Sequence, residues 1–396
     1  MSTSALPALL GISGDAARRL VSGGALLAPA TLARAQVTSR ATALGADNAT
    51  LQVFGADQPR FAGAARRLLT EGQRTNEITD PVAFGAGSGW SSIFSGTGAA
   101  PVITPNYGAI AAPDGSFTAT RLQLDKGAGT LSTDRSGLSR TTTTTAARFV
   151  WARTLAGTAT VQIGTSSVTP GVQSSLDTTW RRFGVSDGGG THRIMVLGGG
   201  SGTSTTADLL VWGASSEAGV GFASSLILPP AGSPQSSTRG ADLVSAPLAA
   251  LGVGGNGACT LLWSGAMQVA AGAVTALLQL DDGTNALRWV VDNLAGNGSI
   301  RIIGTTGTAA VAGTAASWVS FRLGLAVDGA GRAALCMNGG AIAAATGGPT
   351  AGFTTVRLGT NATGGSAAFA ETAALQVIPF ALSDAALQAA VAGLPA

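Results

Sequence analysis

Histidine occurs once, as His192, in a sequence of 396 residues. No cysteine or aspartate accompanies it at the spacing of a catalytic triad or a metal site. A single imidazole removes the commonest general base and the commonest transition-metal ligand, and His192 reads as a satisfied surface residue at a strand start. Cysteine is almost as scarce: Cys259 and Cys336 are too few for a disulfide framework and are expected as buried free thiols. Every basic residue except Lys126 is arginine, and the net charge of +3 is spread thinly, with eight arginines against six acids in residues 1–80. Nucleic-acid binding needs clustered phosphate contacts, so no such partner is expected. No apolar run reaches the ~18 residues of a membrane span, which excludes helical insertion. Polysaccharide hydrolysis needs two convergent carboxylates. The one adjacent pair, Asp281-Asp282, precedes Gly283 and reads as a turn, so no enzyme activity is expected.

What the chain has instead is 58 glycines, 15 prolines and 11% charged residues, the profile of compact β modules with many turns. Short β-rich stretches bounded by Gly or Ser recur at 148–153, 158–163, 192–197 and 208–212, a spacing that fits sandwiches or jelly rolls. The run Thr141 to Thr145 reads as a further strand, because β-branched side chains pack well on a pleat. Residues 12–20 read as a short helix with Ser13 as N-cap. A second helix is expected near the carboxy terminus, with Ser383 as N-cap, Asp384 complementing the positive helix end, and Leu382 and Leu387 as the staple. Leu387 and Val391 would pack it on the sandwich edge. The fold class is all-β: two antiparallel β-sandwich (jelly-roll) domains in tandem, with an N-terminal attachment segment and a short C-terminal helix.

Residues 30–76 contain Ala30 to Ala35, then Pro59 to Phe61, then Leu68-Leu69, Glu71 and Arg74 to Asn76. Trp90, the stretch 102–122 and the stretch 207–242, with Trp212-Gly213-Ala214, Glu217 and Thr238-Arg239-Gly240-Ala241-Asp242, follow in order. This series resembles a carbohydrate-binding-like β-sandwich module of phage virion and tail-fibre proteins. Ser216 stands where that family usually has Gln. In residues 252–396, the stretches 278–291, 318–329, 334–340 and 375–387 resemble successive strands and the closing helix of a concanavalin or laminin-G type jelly roll. The usual tyrosine of its Asn-Gly hairpin is replaced by Cys336-Met337. The expected divisions are an attachment segment at 1–30, an extended arm at 31–79, a first sandwich at 80–240, a linker at 241–251, which reads alternatively as a strand crossing between modules, and a second sandwich at 252–396.

The resemblance implies a virion appendage subunit (tail fibre, head fibre or spike) of a tailed phage or phage-like gene transfer particle. It would bind host surface polysaccharide for adsorption, form a homo-oligomer, by family analogy a trimer, and contact other virion proteins through its N-terminal segment. Assembly in the bacterial cytoplasm and release in an extracellular particle follow from the same reading. Two alternatives stay open: a purely structural virion component without glycan binding, and a secreted bacterial lectin-like protein. The last is favoured by Arg18-Arg19 and the small-residue site at Ala33-Arg34-Ala35, although cleavage there would cut the module's opening. Sugar recognition combines aromatic faces with planar polar groups. Trp90 and Tyr107, set among Gly, Ser and Pro, are the carbohydrate-binding candidates; Trp151, Trp212, Trp263, Trp289 and Trp318 lie in apolar stretches and read as core. No cofactor is required. Calcium is the one metal with a candidate oxygen set, at Asp281, Asp282 and Asn285, with Asp292 and Asn293 nearby.

Overall fold

The computed structural model describes residues 17–34, 39–143, 145–164, 172–187, 189–199, 203–219, 221–269, 273–294 and 297–395. The described chain is nearly all strand, every pairing between named strands is antiparallel, and one α-helix, Asp384–Ala392, closes it. Two compact units emerge. The first draws on Met1–Ala35, Ala56–Gln73 and Gly240–Ala396, and the second on Gln36–Gly55 and Arg74–Arg239. Both units are therefore discontinuous, and the expected arm at 31–79 is shared between them.

Unit 1 is a sandwich of a nine-stranded and a seven-stranded sheet. Period-two alternation explains how each strand contributes. In Thr275–Asp281 the side chains of Leu278 and Leu280 enter the core, where they meet Trp263, Trp289, Leu323 and Leu335. Trp263 is fully buried, donates from Nε1 to Thr372 Oγ1 at 2.9 Å and packs against Phe321 with centroids 4.9 Å apart. The strand Cys259–Met267 is buried on both faces, because the helix covers its outer side.

Ser383 caps that helix as expected, its hydroxyl accepting from the Ala386 amide. Leu387 and Val391 pack on the sheet's face rather than its edge, over Leu262, Ala326, Ala334 and Cys336. Gly324 allows this approach, since a Cβ there would lie 2.4 Å from Val391 Cγ2. Cys259 and Cys336 are free and buried, and burial pushes the Cys259 thiol up to about 12.

Unit 2 is a sandwich of two five-stranded sheets. One runs Val102–Thr104, Thr120–Asp125, Thr206–Ala218, Ala146–Thr154, Arg181–Asp187; the other runs Ser174–Leu176, Ala159–Ile163, Thr191–Leu197, Arg135–Thr141, Ser91–Ser95. Leu122, Leu138, Val150, Ile194 and Leu209 fill the space between them. A second apolar cluster lies on the outer face of the first sheet: Trp151 and Trp212 pack against Leu51, Leu226 and Leu228. Strands Arg40–Leu44, Leu51–Phe54 and Ile227–Leu228 form a small sheet that contributes to this layer.

Several expectations are corrected by this architecture. Most of the threonine run is a connection between strands: Thr141 ends Arg135–Thr141, Thr142 and Thr143 leave the sheet, and Thr144 lies outside the described residues. The buried Arg148 holds it there, with Nε donating to Thr142 Oγ1 at 2.8 Å and Nη2 to the Thr143 carbonyl at 3.0 Å. Of the expected helix at 12–20, residues 12–16 lie outside the described residues and Arg18–Ser22 is a strand paired with Ala370–Ile378. Of the two readings of residues 241–251, linker or strand, the structure has a strand, Leu243–Pro247, paired on both sides by Thr31–Ala33 and Thr355–Leu358, followed by a 3₁₀ turn. Trp318 is the exception among the core tryptophans, being 45% exposed before the strand Phe321–Val327 begins.

Candidate functional site

The residues that carry the phage-module resemblance converge on two buried polar networks. In unit 1, Asp242 bridges two arginines, with Oδ1 2.7 Å from Arg34 Nη1 and Oδ2 2.6 Å from Arg60 Nη2. Arg60 Nη1 reaches Glu71 Oε2 at 2.7 Å, and the Glu71 amide donates to Asp242 Oδ2 at 2.8 Å. Two positive and two negative groups thus balance away from water. Burial pulls the Arg34 guanidinium below its ordinary value against the pull of Asp242; at Arg60 burial acts the same way, but Asp242 and Glu71 together outweigh it and the value is raised.

In unit 2, Asn76 spends its whole amide on backbone. Nδ2 donates to the carbonyls of Ala214 and Ile227, both at 3.1 Å, and Oδ1 accepts from the amides of Ile78 at 3.1 Å and Ser216 at 3.0 Å. Glu217 accepts from the Ser224 amide at 3.2 Å through both oxygens, and Arg239 Nη1 donates to Ser225 Oγ at 2.8 Å. Ser216, which replaces the family's glutamine, is fully buried and donates its hydroxyl to Glu77 Oε2 at 3.1 Å. These groups are buried and hold segments together.

Glu371, beside this region of unit 1, is less well placed. Burial raises its carboxyl, Arg67 opposes the rise and Glu71 adds to it. A raised folded-state value means that, between the unfolded and folded pKa values, the native chain holds more proton than the unfolded chain. Stability is therefore gained as pH falls through the folded value and lost as it rises. Glu371→Gln is expected to raise Tm at pH 7 by about 1–3 °C, a gain that shrinks as the pH falls towards 4; paired thermal melts at the two pH values check it.

Unit 2 carries an open groove. Strand Thr120–Asp125 alternates, sending Leu122 and Leu124 into the core and leaving Arg121, Gln123 and Asp125 on the other face. Pairing sets Gln123 opposite Asp208 on one side and opposite Val102 on the other. The result is an open groove of about 460 Å³ lined by Ala99, Val102, Gln123, Asp125, Thr206 and Asp208 among others. Tyr107 is half-buried beside this polar face, its ring 5.5 Å from the Arg121 guanidinium carbon. Arg121 grips Asp208 with two bonds, Nε to Oδ1 at 2.9 Å and Nη2 to Oδ2 at 2.6 Å, and the hydrogen bond raises the arginine above its ordinary value. Both Asp208 oxygens are thus engaged by the one guanidinium.

Trp90, the other aromatic candidate, is 4% exposed. Its ring lies 5.2 Å from Phe84 and 5.1 Å from His192, edge-on to the imidazole. The flanking glycines and serines shape its backbone, while the indole turns inward. His192 is correspondingly a buried residue and not a surface one.

Unit 1 offers a smaller cleft of about 70 Å³ on the outer face of its seven-stranded sheet, lined by Gln279, Arg288, Asp292, Asn361 and Ser366 among others. Gln279 Nε2 donates to Asp281 Oδ2 at 2.8 Å and to Asn285 Oδ1 at 3.1 Å, while its buried Oε1 has no hydrogen-bond partner. The proposed calcium residues lie nearby and are differently engaged. Asp281 is fully buried and paired with Arg357 at 2.6 Å; Asp282 accepts from the Thr284 hydroxyl and amide, which lowers its carboxyl; Asn285 Oδ1 also accepts from the Ala362 amide at 3.1 Å. Asp292 is held by Arg301 at 2.7 Å. Calcium at Asp281 would have to displace the arginine, and among the described residues no three His, Cys, Asp or Glu groups are gathered as a metal centre.

No protein-family model matches the chain, and no curated protein does. Among solved structures it is similar to the CBM40 of the Ruminococcus gnavus IT-sialidase, at 19% identity over 34% of this chain and 82% of that one, with a TM-score of 0.28. Domain 4 of AbnA, a GH43 extracellular arabinanase from Geobacillus stearothermophilus in complex with arabinotriose, matches at 13% identity over 38% and 73%, with a TM-score of 0.31. A SAP-like pentraxin from Limulus polyphemus matches at 14% over 33% and 68%, with a TM-score of 0.26. At this level the matches assign no family, and the phage-module resemblance stands on the residues that carry it.

Proposed function

We propose that this chain is an appendage subunit of a tailed phage or phage-like gene transfer particle, and that the unit 2 groove binds host surface polysaccharide without cleaving it. The observation that carries the binding role is the groove itself, where planar polar side chains at Gln123, Asp125 and Asp208 line an open channel, and the arginine that grips Asp208 lies against the Tyr107 ring. Amides and carboxylates take the directed hydrogen bonds of sugar hydroxyls, and an aromatic face takes the C–H face of a pyranose. The appendage role is supported by the resemblance, whose arginines, acids and asparagine form a buried network within each unit. A threefold assembly fits the same class of particle protein, and its mass in solution would be three times the 38.7 kDa chain.

The test is a panel of immobilised bacterial surface oligosaccharides probed with the full chain, its oligomeric mass measured alongside. Saturable binding that weakens about tenfold in both Gln123→Ala and Tyr107→Ala, with no new reducing ends released, is the expected result. Binding untouched by both substitutions would remove the groove from the account.

The purely structural reading has one observation in its favour. The signature residues Arg34, Arg60, Glu71, Asn76 and Asp242 are all buried in the networks, and none lines the groove. A well-folded chain that localises to particles by immunogold labelling yet binds nothing on the panel would make that reading the better one.

A further inference from the structure

Of the seven tryptophans, Trp90, Trp151, Trp212, Trp263 and Trp289 are buried and Trp180 is half-buried with its Nε1 donating to the Ala111 carbonyl; Trp318 alone is exposed, at 45%. Its backbone is also unusual, with φ at +60°. L-residues with a Cβ rarely adopt this left-handed region, and asparagine and glycine tolerate it best. The chain follows that rule elsewhere. Glycine takes most of its left-handed positions, and Asn48, Asn106 and Asn338 take three of the others. At residue 318 a bulky aromatic is held where glycine would sit without strain, and much of its surface is left in water. Burial cannot be the whole reason for the indole, because a residue kept for packing would be covered.

The turn around Trp318 is polar. The Trp318 amide donates to the Met267 carbonyl at 2.8 Å, which fixes the turn against the end of strand Cys259–Met267. On one side of it, Ser317 Oγ accepts from the Val269 amide at 3.1 Å and from Gln268 Nε2 at 3.2 Å. On the other, Ser320 Oγ accepts from Arg67 Nη1 at 3.0 Å. Val319, 57% exposed, extends the apolar surface by one small side chain. The exposed indole, about the size of one sugar ring, stands in a turn that also carries two hydroxyls, an amide and a guanidinium, and an apolar patch this small falls far short of a stable protein interface, which buries on the order of 800 Å² per partner. It matches a pyranose, whose C–H face stacks on the ring while its hydroxyls reach the rim.

We infer that Trp318, with Ser317, Ser320, Gln268 and Arg67 around it, is a second carbohydrate contact, on unit 1, that stacks a single pyranose of a surface polysaccharide. The inference rests on the glycan-binding reading and adds a site that the groove does not include. The left-handed backbone serves to present the indole.

The test uses the full chain and the same oligosaccharide panel with four proteins: wild type, Trp318→Ala, Trp318→Gly and Trp318→Tyr. The indole is expected to be needed for binding, so Trp318→Ala and Trp318→Gly should each weaken it about tenfold while Trp318→Tyr retains most of it. Trp318→Gly should melt above Trp318→Ala, because both lose the indole but only glycine relieves the backbone. Saturation-transfer NMR should show contact to ring C–H protons of the bound sugar in wild type and not in Trp318→Gly. Equal sugar binding by wild type and Trp318→Gly overturns the inference while leaving the groove reading intact. A change of oligomeric mass in Trp318→Gly with unchanged sugar affinity overturns it in favour of a subunit contact. A wild type that binds no sugar overturns this inference and the groove reading together.

Discussion

Asp242→Ala should destabilise unit 1 by about 3–5 kcal/mol, the range for removing one partner of a buried ion pair. The carboxylate is fully buried and holds Arg34 and Arg60 at once, besides accepting the Glu71 amide. Without it, two guanidiniums share the single charge of Glu71 in a place with little water, and Arg34 keeps only hydrogen bonds such as that to the Gln58 carbonyl at 2.9 Å. For a unit of this size the loss corresponds to a Tm lower by about 10–15 °C. Asp242→Asn keeps the shape and removes the charge, so it should also destabilise, by less. Thermal melts and urea titrations of the three proteins provide the check. A shift of under 1 kcal/mol in Asp242→Ala would mean that water or another acid compensates the arginines.

The second large effect is expected at Asn76. Asn76→Ala removes two donors and two acceptors from four buried backbone groups in three separate segments, and each unsatisfied group costs about 1–3 kcal/mol. Some of that is recovered by relaxation, which leaves an expected loss of ~3–5 kcal/mol. Asn76→Asp is informative because it keeps the size. It turns a charged oxygen towards the carbonyls of Ala214 and Ile227, and should be about as damaging as alanine. Thr75→Ala, one residue away, removes only an exposed hydroxyl contact to Thr238 at 2.7 Å and should stay within ~0.5 kcal/mol of wild type. Urea denaturation followed by tryptophan fluorescence measures all three. A mild Asn76→Ala would show that the amide is not the element joining these segments.

Both residues come from stretches that the sequence marks clearly, and the comparison shows what sequence can and cannot carry. Strands such as Thr191–Leu197 and Thr206–Ala218 were legible because alternation and β-branching report local burial. The helix at Asp384–Ala392 was legible because its cap and apolar spacing are local. Pairing partners were not. Leu243–Pro247 looks like a boundary next to a proline-rich stretch, yet it lies between Thr31–Ala33 and Thr355–Leu358, partners more than a hundred residues away on either side. The discontinuity of the two units follows from such pairings and leaves no local trace. A chain cut at residue 80 would lose Arg34, Arg60, Glu71 and Asn76, so neither network would survive it.

The candidate site was half legible. Tyr107 does not line the groove but lies against Arg121, whose partner Asp208 does, and the alternation in Thr120–Asp125 already places Arg121, Gln123 and Asp125 on one face. What the sequence hides is that Asp208, distant in the chain, lies opposite Gln123. Trp90 misled because turn residues describe the backbone around a side chain and not its direction. Trp318 misled in the opposite sense: the apolar strand that begins at Phe321 follows it closely, but the residue stands before that strand and is exposed.

The measurement that bears most directly on the central claim is equilibrium binding of the labelled full chain to host cells with and without their surface polysaccharide, with oligomeric mass determined on the same sample. Saturable binding that disappears with the polysaccharide, and that Gln123→Ala and Tyr107→Ala each weaken about tenfold, is the expected result. Equal binding to both kinds of cell, or none by a correctly folded chain, would contradict glycan recognition and leave the two sandwiches as architecture.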